Sequence, residues 1–82
     1  MKLAYSPHFL RSYTKAPPAI QRAFDKQSAL LLENPHHLSL RSKKYGIAGS
    51  LWQARVTGSW RFYFTIEGDT YRLHEITRHP KN

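Results

Sequence analysis

The sequence contains no cysteine, few acidic residues and no long apolar run. Without cysteine the chain can form neither a disulfide nor a thiolate metal site, which is compatible with a reducing cytoplasm. No apolar stretch approaches the roughly 20 residues that cross a bilayer. The first residues, from Met1 to Pro7, lack the apolar segment of a secretory signal. These absences predict a soluble, cytoplasmic protein.

The shortage of acidic residues makes the charge balance strongly positive. Thirteen Lys and Arg residues stand against five Asp and Glu residues, which gives a formal net charge of +8. Such a surface attracts polyanions, namely nucleic acid, an anionic membrane or an acidic protein. The alternative is that the charge serves solubility alone. Because 40% of the residues are hydrophobic, residues 1–82 are expected to fold as one domain with one modest core.

The first half of the chain predicts a strand followed by a helical hairpin. Residues 2–5 have the pattern of a short strand. Ser6-Pro7 is typical of a helix start, because serine caps free amides and proline lacks the amide that would stay unpaired. The first helix should run from about His8 to Lys15. Pro17-Pro18 ends it and starts a second helix, whose apolar stripe continues to about Glu33.

The second half predicts an antiparallel meander. Residues 36–50 are polar and basic and are expected to form a loop. Residues 51–56, 60–66 and 70–76 then alternate as strands do. The predicted fold is therefore α+β, with the N-terminal strand extending a three-stranded meander and the helices packed on one face. The residues expected in the core are Trp52, Val56, Trp60, Phe62, Phe64, Leu73, Ile20, Phe24 and Leu31.

The register of the first hairpin decides what the uncovered face of the sheet carries. Directly opposed residues share a face. A three-residue loop at 57–59 keeps the apolar residues of both strands together and puts Arg55 opposite Arg61, whereas a two-residue loop would mix the faces. Both arginine side chains are expected to be exposed.

The second hairpin turns at Gly68-Asp69, which puts Tyr63 opposite His74. Strict alternation would then bury Glu75, so a bulge is expected near that point. The uncovered face should carry Gln53, Arg55, Arg61, Tyr63, Arg72 and His74.

This face has the chemistry of a single-stranded nucleic acid surface. Two opposed arginines repel each other unless an anion lies between them, and a guanidinium matches a phosphate bidentately. Tyr63 adds a flat ring, and His74 adds a group that titrates near neutral pH. In single-stranded nucleic acid, the phosphates bind to positive side chains and the bases stack on aromatic rings. The alternative for each residue is an ordinary polar position on an exposed sheet.

Other kinds of site find little support in the sequence. The five carboxylates are spread along the chain, and His36-His37 is not in a metal-binding spacing with other ligands. Neither a nucleophile elbow nor a glycine-rich phosphate loop is present. No metal and no cofactor is therefore expected.

Residues 51–64, LWQARVTGSWRFYF, resemble the central hairpin of the RelE/ParE toxins. In that family a strand with an aromatic-x-x-basic pattern leads through a glycine-containing turn to an aromatic–arginine pair and an apolar strand. The order of predicted elements resembles the family along nearly the whole chain. The resemblance implies the RelE/ParE fold and a toxin of a type II toxin–antitoxin system.

RelE-type members of the family are metal-independent endoribonucleases that cut mRNA on the ribosome and so inhibit translation. The 2′-hydroxyl attacks the adjacent phosphate. By position, the resemblance implies that Arg55 and Arg61 bind the scissile phosphate and that His79 acts near the leaving group. The division of acid and base roles between His74 and His79 stays open. Further RNA-binding residues are expected at Lys43, Lys44, Tyr63, His74, Arg78 and Lys81.

The sequence also departs from the RelE pattern. Some relatives carry a tyrosine at the C-terminus, and residues 77–82 contain none. ParE-type relatives share the fold and poison DNA gyrase without cutting RNA, so a gyrase inhibitor is the main alternative, and a non-catalytic RNA-binding module is another. The expected partners are mRNA and the ribosome, or else gyrase, and an acidic antitoxin that is disordered alone and folds on binding. No membrane partner is expected.

Overall fold

A computed structural model describes residues 1–45 and 50–79. The strands form one sheet in the order β1-β5-β4-β3-β2. The predicted α+β class is confirmed, with a helical hairpin next to an antiparallel meander. In chain order the elements are β1 (Lys2–Tyr5), α1 (Pro7–Lys15), α2 (Pro18–Glu33), a 3₁₀ turn (Leu38–Leu40), β2 (Lys43–Tyr45), β3 (Leu51–Arg55), β4 (Trp60–Glu67) and β5 (Thr70–Arg78).

The helices begin and end where the proline and serine signals predicted. The side chain of Ser6 accepts a hydrogen bond from the Phe9 amide at 3.0 Å, which caps α1. Helix α1 ends at Lys15, and α2 begins two residues after Ala16, at Pro18. Within the described residues, neither helix is long and apolar enough to cross a membrane.

The register of the first hairpin is as predicted. Arg55 pairs with Arg61 across β3 and β4. The Val56 amide donates to the Trp60 carbonyl at 3.0 Å, so residues 57–59 form the turn. The N-terminal strand extends the sheet by pairing with β5 in parallel, with Leu3 opposite Tyr71.

The prediction that residues 36–50 form only a loop is wrong. Leu38–Leu40 form a 3₁₀ turn and Lys43–Tyr45 form β2 at the edge of the sheet. Lys43 pairs with Gln53 and Lys44 pairs with Trp52. The two lysines therefore lie on opposite faces of the sheet. Residues 46–49 lie outside the described part of the chain.

The predicted bulge is present, and it changes the pairing of His74. The register shifts between Tyr63 and Phe64, so Tyr63 pairs with Glu75 and not, as predicted, with His74. His74 is the extra residue of β5. Inserting one residue restores the alternation, because Ile76 can then be buried, at 3% exposure, while Glu75 stays on the other face.

The core lies between the two helices and one face of the sheet. Phe24 of α2 meets Phe62 of β4 edge-on, with ring centroids 5.2 Å apart. Trp52, Trp60 and Ile20 are only half-buried at its margin. The helices leave the other side of the sheet uncovered, and we call this side the open face. The open face carries Lys43, Tyr45, Leu51, Gln53, Arg55, Arg61, Tyr63, Thr65, Arg72, His74, Glu75 and Thr77.

Candidate nucleic-acid interface

The opposed arginines lie at the end of the open face where β3 turns into β4. Arg55 is the last residue of β3, and Arg61 is the second residue of β4. Both are half-buried, so the expectation that they are freely exposed is wrong. Among residues 1–45 and 50–79, neither arginine takes part in an ion pair. The pair is therefore a concentration of positive charge with no acidic neighbour in the described structure.

The β3–β4 turn holds the guanidinium of Arg61 in one orientation. Its Nη1 donates to the carbonyl oxygens of Thr57 at 2.6 Å, Trp60 at 3.0 Å and Gly58 at 3.3 Å. Within the described residues all hydrogen bonds of this guanidinium use Nη1. The Nε–Nη2 edge is left for a ligand, and this edge has two parallel N–H groups that match two oxygens of a phosphate.

The surroundings of Arg61 destabilise the charged form of its guanidinium. Partial burial lowers the pKa of its guanidinium from the ordinary value, and the nearby charges of Arg55 and then Arg41 lower it further, while Tyr63 raises it. An arginine nevertheless stays protonated in a protein. An anion that binds here relieves the repulsion, which favours a phosphate ligand.

Arg55 is positioned from both sides of the sheet. Its main-chain carbonyl accepts a hydrogen bond of 2.8 Å from Nε2 of Gln27, which is buried in α2 and also donates to the Ser39 carbonyl at 3.1 Å. Its side chain passes over the turn: a Cβ added to Gly58 would lie 3.3 Å from Nη2 of Arg55. The helix thus fixes the backbone, and the missing side chain of Gly58 leaves room for the guanidinium.

His79 lies beside this turn, and His74 does not. The His79 amide donates to the Ser59 carbonyl at 2.7 Å. Thr77 pairs with Arg61, and strand alternation gives His79 the same face as Thr77. His74 is five residues further back along β5, which amounts to about 16 Å in a strand. The imidazole of His74 lies instead against the hydroxyl of Thr65, which is four residues along β4 from Arg61, about 13 Å in a strand.

His74 belongs to a second region of the open face, an aromatic pocket of about 290 Å³. The rings of Tyr45 and Tyr63 meet edge-on there, with centroids 5.3 Å apart. Nε2 of His74 lies 2.9 Å from the hydroxyl of Thr65, on the neighbouring strand. The pocket is lined by His8, Tyr45, Leu51, Tyr63, His74, Glu75 and Thr77.

The ionisation of this pocket limits its chemistry. Burial raises the pKa of Tyr63 above its ordinary value, and Tyr45 and Glu75 raise it further, while Arg61 lowers it. The phenol is therefore neutral at physiological pH and offers a hydrogen bond and a ring rather than a base. Oε2 of Glu75 lies 3.2 Å from Nε2 of His8, within hydrogen-bond distance. The pocket suits a neutral planar group better than a phosphate.

Several residues predicted to bind RNA do not join these two regions. Lys44 lies on the helix side, with Nζ 5.9 Å from the ring centroid of Trp52. Arg78 pairs with Trp60, so alternation places it on the helix side as well. Lys43 is on the open face but at the far edge strand, opposite Gln53. Lys81 lies outside the described residues.

Other residues near these two regions were not predicted as site residues. The aromatic pocket is also lined by His8 from the first turn of α1, Tyr45 from the edge strand β2 and Glu75 beside the bulge. Lys26 and Arg41 line a groove that ends at Arg55. In residues 1–45 and 50–79, no three His, Asp or Glu side chains come together in an arrangement suited to a metal ion.

Comparison with known proteins gives matches among solved structures only. No family model and no curated protein matches the sequence. The YoeB/ParE toxin from Agrobacterium tumefaciens is similar over 98% of this chain and 100% of its own, with a TM-score of 0.81 and 14% identity. In the archaeal RelE–RelB complex from Pyrococcus horikoshii the match covers 99% and 97%, with a TM-score of 0.80 and 15% identity.

A third match is the toxin–antitoxin complex RelBE2 from Mycobacterium tuberculosis, with a TM-score of 0.78, 20% identity and coverage of 95% of this chain and 96% of that one. These structures share one architecture, a helical hairpin on a small sheet. The chain therefore has the RelE/ParE toxin fold, which the resemblance of residues 51–64 predicted. At 10–20% identity the agreement is one of backbone, so the chemistry must be argued from this chain's own side chains.

Proposed function

We propose that this chain is the toxin of a type II toxin–antitoxin system and that its open face binds and cleaves mRNA on the ribosome in the cytoplasm. The observation that carries the proposal is the pair Arg55–Arg61. The two side chains are opposed across a hairpin, half-buried, and unpaired with acid among the described residues. Two guanidinium groups kept together without a counter-ion are suited to a phosphodiester.

The proposed reaction needs no metal and no cofactor. The 2′-hydroxyl oxygen attacks the adjacent phosphorus, and the bond from phosphorus to the 5′-oxygen breaks. The products are a 2′,3′-cyclic phosphate and a 5′-hydroxyl. Negative charge grows on the phosphoryl oxygens during the attack. Arg61, through its Nε–Nη2 edge, and Arg55 would stabilise this growing charge more than they stabilise the bound substrate.

One proton passes from the 2′-hydroxyl to a water molecule, and one is delivered to the 5′-oxygen. His79 is the candidate for the second transfer, because its backbone is held at the turn that carries Arg61. His74 is assigned to the aromatic pocket instead, since it lines that pocket and its imidazole lies 2.9 Å from the Thr65 hydroxyl, four residues along β4 from Arg61. The proposal thus favours His79 over His74 where the sequence left both open.

The aromatic pocket supports the binding of a base next to the cleaved bond. Tyr63 adjoins Arg61 on the open face, two residues along β4, and its neutral phenol meets Tyr45 edge-on. Stacking on such rings is worth about 1–3 kcal/mol per base. We assign Tyr63 and Tyr45 to base binding and the arginines to the phosphate.

An acidic antitoxin is the proposed protein partner. The similar structure from Mycobacterium tuberculosis is a toxin–antitoxin complex, and the one from Pyrococcus horikoshii is a complex of RelE with RelB. A net charge of +8 favours a partner of opposite charge. Such a partner would cover the arginines and so block the phosphate site.

Primer extension on mRNA in a translation reaction tests the proposal. Purified wild-type protein should produce discrete cuts that require ribosomes, and Arg61→Ala should abolish most of them. Lys2→Ala is the matched control, because it removes the same charge at the opposite edge of the sheet, where Lys2 lies 3.9 Å from Asp69. That variant should cut as the wild type does.

Two results would contradict the proposal. Inhibition of gyrase supercoiling without RNA cuts would assign the chain to the gyrase poisons that share the fold. Full cleavage by a folded Arg61→Ala protein would show that this face is not the site.

A further inference from the structure

A groove opens where the open face ends, on the other side of Arg55. It has a volume of about 470 Å³ and lies between α2, the 3₁₀ turn and the β3–β4 turn. Three of its lining side chains are cationic, and each comes from a different element: Lys26 from α2, Arg41 after the 3₁₀ turn, and Arg55 from β3. Within residues 1–45 and 50–79, no carboxylate lines it.

The backbone of Arg41 is unusual at this position. Its φ of 46° and ψ of 42° are left-handed, and it is the only non-glycine residue with positive φ in the described part of the chain. Such a conformation costs an arginine about 1–2 kcal/mol. Glycine or asparagine would fill this helix-capping position at lower cost. Retaining an arginine there indicates that its side chain has a use.

Arg41 is also electrostatically linked to the arginine pair. Its charge contributes to lowering the pKa of Arg61. Lys26 is exposed on α2, one residue before Gln27, which holds the carbonyl of Arg55. The positive charge therefore runs without a break from Arg61 through Arg55 into the groove.

We propose that this groove is a second phosphate site, in which Lys26 and Arg41 bind a backbone phosphate of RNA next to the one held by Arg55 and Arg61. The inference rests on the proposed function. Regularly spaced phosphates on one strand match a continuous track of cations, and Arg55 belongs to both sites. Contacts to a phosphate that does not react bind substrate and transition state equally, so they raise affinity and not the maximal rate.

The test uses variants that respect the local backbone. Arg41→Asn removes the charge and tolerates the left-handed conformation, and Arg41→Lys keeps the charge. Lys26→Gln keeps helix propensity. Lys2→Gln is the control at the far edge. The probe is a short single-stranded RNA with 2′-O-methyl riboses, which cannot be cut, titrated by fluorescence anisotropy at several salt concentrations. Thermal melts establish that each variant is folded.

Arg41→Asn and Lys26→Gln should each lower the slope of log affinity against log salt, and the double variant should lower it by about 0.7, the value for one neutralised phosphate on a single strand. Binding at low salt should weaken about three- to tenfold for each. Arg41→Lys and Lys2→Gln should keep the wild-type slope. In cleavage of ribosome-bound mRNA, the two groove variants should raise the half-saturating protein concentration and leave the maximal rate unchanged.

The remaining outcomes separate the alternatives. A change on ribosomes without a change on the free RNA would overturn the inference and assign the groove to a phosphate of ribosomal RNA rather than of the substrate strand. Unchanged behaviour of both groove variants in both assays would overturn the inference while Arg61→Ala alone still tests the proposed function. If the groove variants bound a polyglutamate peptide more weakly than the wild type but bound RNA as tightly, the inference would also be overturned. The groove would then be assigned to an acidic protein.

Discussion

A substitution at Gly58 should change the position of Arg55 in the candidate site without destabilising the fold. Its backbone lies outside the left-handed region, so alanine is compatible with its conformation. A Cβ at this position would lie 3.3 Å from Nη2 of Arg55, closer than an ordinary contact, and the end of that flexible side chain must shift by a few tenths of an ångström. Replacing glycine at a compatible position stabilises a protein by about 0.4–1 kcal/mol. The Gly58→Ala protein should therefore melt at or slightly above the wild-type temperature.

The same change should slow cleavage. A misplacement of about 1 Å can cost a factor of about 100, so a shift of a few tenths should reduce the single-turnover rate several-fold, up to about tenfold. The control is Gly68→Ala in the β4–β5 turn, where φ is +62° and nothing lies within 4 Å of an added Cβ. This variant should lose about 1 kcal/mol of stability and cut normally once folded.

A double-mutant cycle identifies the cause. In an Arg55→Ala background, adding Gly58→Ala should have no further effect on the rate. A Gly58→Ala protein that cuts at the wild-type rate, or that loses as much stability as Gly68→Ala, would refute the account of the turn.

Three further predictions follow from single contacts. Arg61→Ala loses the hydrogen bonds of Nη1 to the turn, so the free energy of unfolding should fall by about 1–2 kcal/mol in urea titrations. Cleavage by this variant should fall about 100- to 1,000-fold. Arg61→Lys should also cleave poorly, because an ammonium lacks the two parallel N–H groups of a guanidinium. Gln27→Leu leaves the carbonyls of Ser39 and Arg55 unpaired and should lower the free energy of unfolding by roughly 2–3 kcal/mol, and a change below about 0.5 kcal/mol would contradict that role. Burial raises the pKa of Tyr71 above its ordinary 10.0, so the folded state holds the phenolic proton more tightly than the unfolded chain does. The free energy of unfolding should therefore fall as the pH rises past 10.0. In thermal melts at alkaline pH, Tyr71→Phe should lose less stability than the wild type, and equal losses would contradict the prediction.

Alternating strands and proline-marked helices were predictable because their signals are local. The apolar alternation of β3 and β4 admitted only one hairpin register, and this register put Arg55 opposite Arg61. The break in alternation at Glu75 located the bulge. It did not identify the inserted residue, because that depends on which residues of β4 and β5 pair. Lys43–Tyr45 escaped detection because three polar or aromatic residues at an edge show no alternation, and only the pairing with β3 makes them a strand.

The site was predictable only where it follows strand parity. Arg55, Arg61 and Tyr63 share a face by alternation, whereas His79 was proposed only from the resemblance to the RelE/ParE toxins. The separation of Lys43 from Lys44 and the position of Lys26 above the β3–β4 turn depend on how β2 and α2 pack against the sheet. The spacing of residues along the sequence does not show how elements pack. Charge alone therefore could not tell which basic residues lie near Arg55 and Arg61.

The parallel pairing of β1 with β5 has a consequence for the time course of folding. Residues 2–5 pair with residues 70–73, so the sheet closes through a contact that spans most of the sequence. Long-range contacts of this kind slow folding, whereas the helical hairpin and the two β-hairpins involve neighbours and can form earlier. At a synthesis rate of about 5–20 residues per second, β1 waits roughly 3–14 s for its partner to be made. A nascent chain thus carries an unpaired strand and an unfinished sheet during translation, and the protein acquires its complete fold only late in its own synthesis.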